Sequence, residues 1–295
     1  MDSSLRQPIA VIALSGVLWG TAFVAMKIGL EYIDPYSFAL LRLLVAFILS
    51  ASVLLTRERP RLDILRSRPV WVLGLLNAAG FILQFVGMTY TTATRAALVV
   101  NSNVTFTTLL GWRLNKDPMG AGQAIALPVA ILGIYLITTG GDLSNLSGGQ
   151  VTGDLLVLLA GLAWSFFLVI NKRVVSQEDS NVTQTVTWVM LVTTVGILPF
   201  ALAFGDIGRV QVMWQGWAAV AFTAVFCTLL PYLLFSKAQR FVTVTLSALV
   251  LLIEIVAAFV SSALILGEQL SPSAAVGDVL VCVSIVLASR GSGEG

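Results

Sequence analysis

The chain has no histidine, two cysteines in 295 residues, and charge on only 11% of its positions. Each shortage excludes something. Without histidine there is no Ser-His proteolysis, no histidine-dependent acyl transfer and no histidine-ligated zinc. Cys227 and Cys282 fall inside apolar stretches; two scattered cysteines make neither a disulfide framework nor a metal site and read as small packing residues. No Gly-Lys pair exists anywhere, so a phosphate-binding loop is missing, and Leu146-Ser-Gly-Gly-Gln150, which spells an ATP-cassette signature, is a chance match. A soluble globular chain carries about 25% charge. The longest polar segment, Thr56 to Pro69, is too short to be a domain. No catalytic residue, metal or cofactor is therefore expected, no ATP-binding site is visible, and the net charge of +2 says nothing of nucleic acid.

What the chain does have is apolar length. Hydrophobic residues make up 57% of it. A spanning helix needs roughly 20 largely apolar residues, because the hydrocarbon core is about 30 Å thick. Ten such stretches are legible, near 9–30, 37–56, 69–88, 93–113, 120–139, 153–175, 181–204, 214–235, 242–267 and 273–289. The predicted class is an all-α membrane protein of ten transmembrane helices. Cytoplasmic loops collect Lys and Arg. With the N-terminus inside, 13 of the 17 cationic residues fall on the cytoplasmic side, and only Lys27, Arg42, Arg95 and Arg209 fall elsewhere. Both termini are thus expected in the cytoplasm, in a bacterial-type inner membrane. The first stretch exceeds a signal-peptide core and carries Trp19 and Lys27, so it reads as a span. The polar tail at 291–295 reads as a cloning remnant and is left out of fold reasoning.

The chain also repeats itself. At an offset of 145, Gly16 meets Gly161, Trp19 meets Trp164, Gly20 meets Ser165 and Lys27 meets Lys172. At an offset of 151, Ala97-Leu-Val-Val100 meets Ala248-Leu-Val-Leu251, Asn103 meets Glu254 and Asp117 meets Glu268. This divides the chain into a first five-helix repeat at 1–140, an extracytoplasmic linker at 141–152 and a second repeat at 153–290. Five spans per half force the halves into opposite orientations. Inverted repeats of this kind belong to secondary transporters, whose site lies near the midplane between the halves.

These residues resemble the drug/metabolite transporter superfamily, and within it the ten-helix EamA-type members. The matching pieces are Leu18-Trp-Gly-Thr-Ala-Phe23, Pro35-Tyr-Ser-Phe-Ala-Leu-Leu-Arg42, Gly153-Asp-Leu-Leu156, Ala160-Gly-Leu-Ala-Trp164 and Leu266-Gly-Glu-Gln-Leu270. The resemblance implies efflux of small metabolites, amino acids among them, without ATP. It departs from the family where a proline often follows the Asn/Glu position: here Val104 and Ile255 stand. The first-half Gly-Glu pair reads Lys116-Asp117.

Glu254 is the sharpest candidate for a working residue. It lies about twelve residues into an apolar span, where a charge costs about 2.5–3.5 kcal/mol on insertion scales. It either binds a substrate ammonium or carries a coupled proton, or else it is a neutral hydrogen-bonding partner of a neighbouring helix. Asn101, Ser102 and Asn103 cluster polar groups in the symmetry-related span, as cavity lining or as interhelical glue. Trp19 and Trp164 sit mid-span, away from the interfaces where tryptophan is usual, and suggest opposing walls of one cavity. Asn77, Gln84 and Tyr90 form a polar stripe on span 3, with Tyr232 as an approximate counterpart in span 8. The small-residue pair Gly16-x-x-x-Gly20, echoed at Gly161, reads as a close helix contact. Arg42, near the outer third of its span, is expected to pair with Asp34 or Glu31 or to help an anionic group. Arg95 is read as an interfacial anchor. Pro35, Pro118, Pro199 and Pro272 should lie at helix ends; Pro128 and Pro231 should kink their helices.

The reading is a carrier that exports small metabolites, aromatic or neutral amino acids foremost, by alternating access, with the small molecule and the lipid bilayer as partners. The alternatives are a channel-like facilitator, an exporter of unrelated drugs or metabolites, and an intramembrane enzyme. The last is disfavoured by the missing histidines and by Ala275-Val-Gly-Asp278, which lacks the first glycine of the Gly-x-Gly-Asp motif.

Overall fold

The computed structural model describes residues 3–101, 103–116, 119–139, 151–206, 213–267 and 272–290. Ser102, Asp117, Pro118, Glu268, residues 141–150 of the expected linker and the tail at 291–295 lie outside the described residues. Every regular element among the described residues is helical. In order they are α1 (Ser3–Gly29), α2 (Pro35–Arg57), a short α3 (Leu62–Arg66), α4 (Arg68–Met88), α5 (Ala93–Asn101) and α6 (Asn103–Leu110), which runs into a π-helical turn at Gly111–Asn115. Then follow α7 (Ala121–Thr139), α8 (Val151–Val175), α9 (Val182–Phe204), α10 (Trp214–Ala224), a second π-helical turn at Val225–Leu229, α11 (Leu230–Gln239), α12 (Val244–Leu251), α13 (Ile253–Leu266) and α14 (Pro272–Arg290).

Seven helical stretches are long and apolar enough to cross a membrane: Leu5–Gly29, Pro35–Arg57, Arg68–Met88, Thr152–Val175, Val182–Phe204, Trp214–Gln239 and Val244–Leu266. The ten expected spans include three more. Of these, α7 and α14 contain shorter apolar helices at Ala121–Gly133 and Ala275–Leu287, and the span near 93–113 comprises α5 and α6 on either side of Ser102.

Local sequence sets the helix starts. Asp34 accepts from the backbone N–H of Tyr36 and Ser37 and so caps α2, whose first residue is Pro35. Asn181 caps α9 and Thr243 caps α12 in the same way. Two expectations need correction. Pro199 lies inside α9 rather than at its end. Tyr90 sits in the turn after α4, exposed, and not on the polar stripe. The polar segment after α2 also holds the short α3.

Polarity runs inside out. Exposed positions carry large apolar side chains such as Leu14, Ile48, Leu202 and Leu264, while Asn77, Gln84, Asn101, Asn171 and Gln239 are buried. That arrangement suits a lipid surround, where outward groups need no hydrogen bonds and inward polar groups find them with one another. Asn171 Nδ2 donates to Gln239 Oε1 at 2.7 Å, and Ser50 pairs with Thr187 at 2.6 Å.

Helix neighbours come in matching pairs. α1 packs on α13, and α8 packs on α5 and α6. α8 also packs on α4, as α1 does on α10 and α11. α2 packs on α9, and α7 on α14. Glycine permits the closest crossings. A Cβ on Gly16 would lie 2.6 Å from Ile253 Cγ2, and one on Gly161 would lie 2.7 Å from the Val100 carbonyl oxygen. Gly87 and Gly153 face each other across α4 and α8, and Gly133 faces Gly277 across α7 and α14. The two lysines matched in the sequence do the same job twice. Lys27 Nζ donates to the carbonyls of Met88 and Thr91, at 2.9 and 2.6 Å, around the end of α4. Lys172 Nζ donates to those of Gln239 and Arg240, both at 2.9 Å, at the end of α11. A cation there satisfies orphan carbonyls and complements the helix dipole.

Gly20 tests this packing. Its added Cβ would press on the Glu254 carbonyl and lie 2.6 Å from Ala257 Cβ. Gly20→Ala should therefore lower stability by about 1–3 kcal/mol, the usual cost of overpacking. A reduced melting temperature of the purified protein in detergent is the readout, and an unchanged or raised one would contradict the crossing.

Candidate functional site

A narrow cavity of about 80 Å³ lies where nine helical segments meet. It has room for several waters or a small ligand part. Trp19 comes to it from α1, Arg42 from α2, Phe81 and Gln84 from α4, Asn101 from α5, Asn103 from α6, Trp164 from α8, Tyr232 from α11, Leu251 from α12 and Glu254 from α13. Six aromatic residues stand in its wall, Phe23 and Phe167 being the other two.

Trp19 stands edge-on to Tyr232, ring centroids 5.4 Å apart at 79°. Trp164 stands edge-on to Phe81 at 5.5 Å and 81°. Phe81 and Tyr232 are themselves related by the 151-residue offset, so the two pairs are copies of one contact. Gly80 makes room for the second: a Cβ there would fall 2.7 Å from Trp164 Cε2. Such edge-to-face pairs hold rings in place and leave faces for a ligand.

Asn77 does not line the cavity; it holds the residues that do. Its Oδ1 accepts from Tyr232 Oη at 2.5 Å and from Trp164 Nε1 at 3.1 Å, and its Nδ2 donates to Thr193 Oγ1 at 3.1 Å. Thr193 in turn donates to the Val189 carbonyl at 2.8 Å. One buried amide thus ties α4, α8, α9 and α11 together.

Glu254 stands one residue into α13, just past an interruption at Leu252. There Leu252 N–H reaches Leu249 O at 3.3 Å and Ile255 N–H reaches Leu252 O at 3.0 Å. The helix therefore breaks beside the carboxylate without the proline that the family often carries, since position 255 is Ile. The Glu254 side chain faces that of Asn101 and lies within electrostatic reach of Tyr232. Asn101 Nδ2 also donates to the Ala97 carbonyl at 2.8 Å.

Arg42 departs from the first of its two expectations. It pairs with neither Asp34, which caps α2, nor Glu31; it is 2% exposed and turns into the cavity. Nε donates to Thr228 Oγ1 at 2.6 Å and Nη2 to the Cys227 carbonyl at 2.8 Å, with Met26 Sδ 3.0 Å from Nη1. Its Cζ lies 5.0 Å over the Phe81 ring and 5.8 Å over that of Phe85. Pro231 explains the acceptor. A proline has no N–H to give to the carbonyl four residues before it, which here is Cys227. A π-helical turn stands immediately before α11, and Arg42 takes up the carbonyl that the proline leaves.

Arg95 is also more than an interfacial anchor. It forms an ion pair with Asp154 at 2.6 Å, both side chains less than one-fifth exposed, and Thr91 Oγ1 donates to Asp154 at 3.3 Å. This gives the Asp of the Gly153-Asp-Leu-Leu156 motif a partner. Gly16, Gly20 and Gly161 serve the helix crossings, and Pro128 lies within α7. Among the described residues no cluster of three or more His, Cys, Asp or Glu could hold a metal ion. Sequence reasoning missed Phe81, Phe23 and Phe167. Phe81 was recoverable, because the offset of 151 maps it onto Tyr232.

The sequence profile of the EamA-like transporter family matches the chain twice, at residues 7–139 and 151–290. An uncharacterized transporter of Archaeoglobus fulgidus is 28% identical over 229 residues, covering 75% of this chain and 76% of that protein. One of Bacillus subtilis is 26% identical over 279 residues, covering 92% and 90%. A probable amino-acid metabolite efflux pump of Salmonella typhimurium is 27% identical over 286 residues, covering 92% and 91%. A crystal structure of another protein shares the fold, with a TM-score of 0.80 over 97% of both chains at 15% identity. Two family matches that together span nearly the whole sequence decide the assignment: this multi-pass membrane protein belongs to the EamA-like transporter family.

Proposed function

We propose that the chain is a secondary transporter that exports small metabolites, neutral and aromatic amino acids foremost, by alternating access. The observation that carries this is the cavity: a carboxylate, a guanidinium and six aromatic residues enclosed between two sets of matching helices. A free amino acid offers complementary groups, an ammonium for Glu254, a carboxylate and an apolar side chain for the tryptophans. The Salmonella relative described as a probable amino-acid metabolite efflux pump supports the same substrate class. No ATP site is visible in the sequence, so a gradient of substrate or ion drives the flux in this reading.

The transport cycle in this reading is a rocking of two inverted five-helix repeats about the cavity, in an inner membrane with both termini cytoplasmic. Ten spans are counted, α5–α6, α7 and α14 joining the seven long ones. Three observations support the inversion: the doubled family match, the paired packing of helices, and the duplicated lysine caps and tryptophan pairs. The break at Leu252 and the π-helical turn before Pro231 give spans 9 and 8 places to bend; Leu251 and Glu254 beside the first line the cavity, and Cys227 and Thr228 of the second hold Arg42.

Two measurements test the proposal. In liposomes, wild type should take up labelled neutral and aromatic amino acids saturably, and Glu254→Gln should cut that uptake by about tenfold or more. Normal transport by the variant would reduce Glu254 to a structural hydrogen-bond partner, and a folded wild type that moves no amino acid would discard the substrate class. For orientation, Tyr90→Cys and Gln177→Cys, both at exposed turns, can be probed in intact cells with a membrane-impermeant maleimide. Labelling of position 90 alone is expected; labelling of 177 alone would invert the topology.

A further inference from the structure

We propose that Arg42 reads the carboxylate of the transported molecule and thereby selects carboxylates over otherwise similar cations; this rests on the transport reading above. A guanidinium has five N–H donors. Three of Arg42's are met, by Thr228, the Cys227 carbonyl and the weak acceptor Met26. Among the described residues the other two have no acceptor, and no carboxylate lies within ion-pair distance of Arg42. Nearly all of the side chain is buried, so apart from the cavity no open solvent reaches it. A buried cation without an anion is costly, and residues of this kind inside a membrane usually face a pathway or a partner. Arg42 faces the cavity.

Structural need alone does not account for the charge. Thr228 and Asn77 correspond at the offset of 151, and each ties its helix to a neighbour: Thr228 to Arg42 of α2, Asn77 to Thr193 of α9. The second crossing is made with neutral groups only. At the same offset Arg42 itself maps onto Thr193, the partner of Asn77, so the cation of one crossing is a neutral hydroxyl in the other. The fold thus joins the same elements once with a cation and once without. What the cation adds is a fixed, planar donor fork. Thr228 and the carbonyl freed by Pro231 hold the fork, and its remaining N–H groups suit a carboxylate. Glu254 and Tyr232 line the same cavity.

The test measures binding by the purified full chain in detergent, through its tryptophan fluorescence, with phenylalanine, phenylalaninamide and phenylacetate. The amide keeps shape and ammonium but loses the carboxylate; phenylacetate keeps the carboxylate but loses the ammonium. Wild type should prefer phenylalanine to its amide by about tenfold or more, as expected for a charge-assisted pair. Arg42→Met should erase this preference. Arg42→Lys, which keeps a charge but not the fork, should reduce it several-fold and serves alone if the methionine variant does not fold. Equal binding of acid and amide by wild type, or an unchanged preference in folded variants, overturns the proposal. Binding of phenylacetate but not phenylalanine, lost with Arg42→Met, would sink the amino-acid reading while upholding Arg42. A wild type that binds none of the three overturns both.

Discussion

Inside a bilayer a buried polar group has no water to fall back on, and this constraint organises the whole molecule. Every helix end or break in the interior needs a donor or acceptor from another helix. Lys27 and Lys172 supply donors to the ends of α4 and α11. Asn77 satisfies Tyr232 and Trp164 together. Pro231 leaves a carbonyl open, and Arg42 closes it. The polar bonds that stabilise the bundle are thus the ones that shape the cavity. Removing one of these groups would strand its partner in a place where solvation is poor.

Glycine makes these bonds reachable. Interhelical hydrogen bonds in membranes are individually weak, about 0.6 kcal/mol on average, so they depend on backbones already held close. Gly16 and Gly20 bring α1 against α13 at the level of Glu254, and Gly161 brings α8 against α5 and α6 at Val100 and Asn103. The close crossings and the chemistry-bearing positions therefore coincide, once in each half.

The halves are alike where they pack and unlike in the charges that line the cavity. Trp19 with Tyr232 repeats as Trp164 with Phe81, and Lys27 repeats as Lys172. Glu254 matches Asn103, and Arg42 matches Thr193. A duplicated scaffold needs the first kind of likeness, because both halves must bury the same helix faces. Nothing in packing requires the second; under the proposed transport reading the difference suits an unsymmetrical substrate.

The sequence by itself determined the class and the family, because these rest on runs of about 20 apolar residues and on short motifs in a fixed order. It also pointed to Glu254, Asn103 and the two tryptophans, since a polar or bulky aromatic group in mid-membrane is conspicuous without any partner being known. Only the tertiary structure decided what each of these meets. Asn77 is a support behind the wall rather than part of it, Arg95 pairs with Asp154, and Arg42 points inward instead of to Asp34. The break at Leu252 was likewise hidden, as no proline marks it. Hydropathy records how polar a residue is, whereas its role depends on which helix faces it, and that is fixed by contacts between residues such as 42 and 228 that lie far apart in the chain.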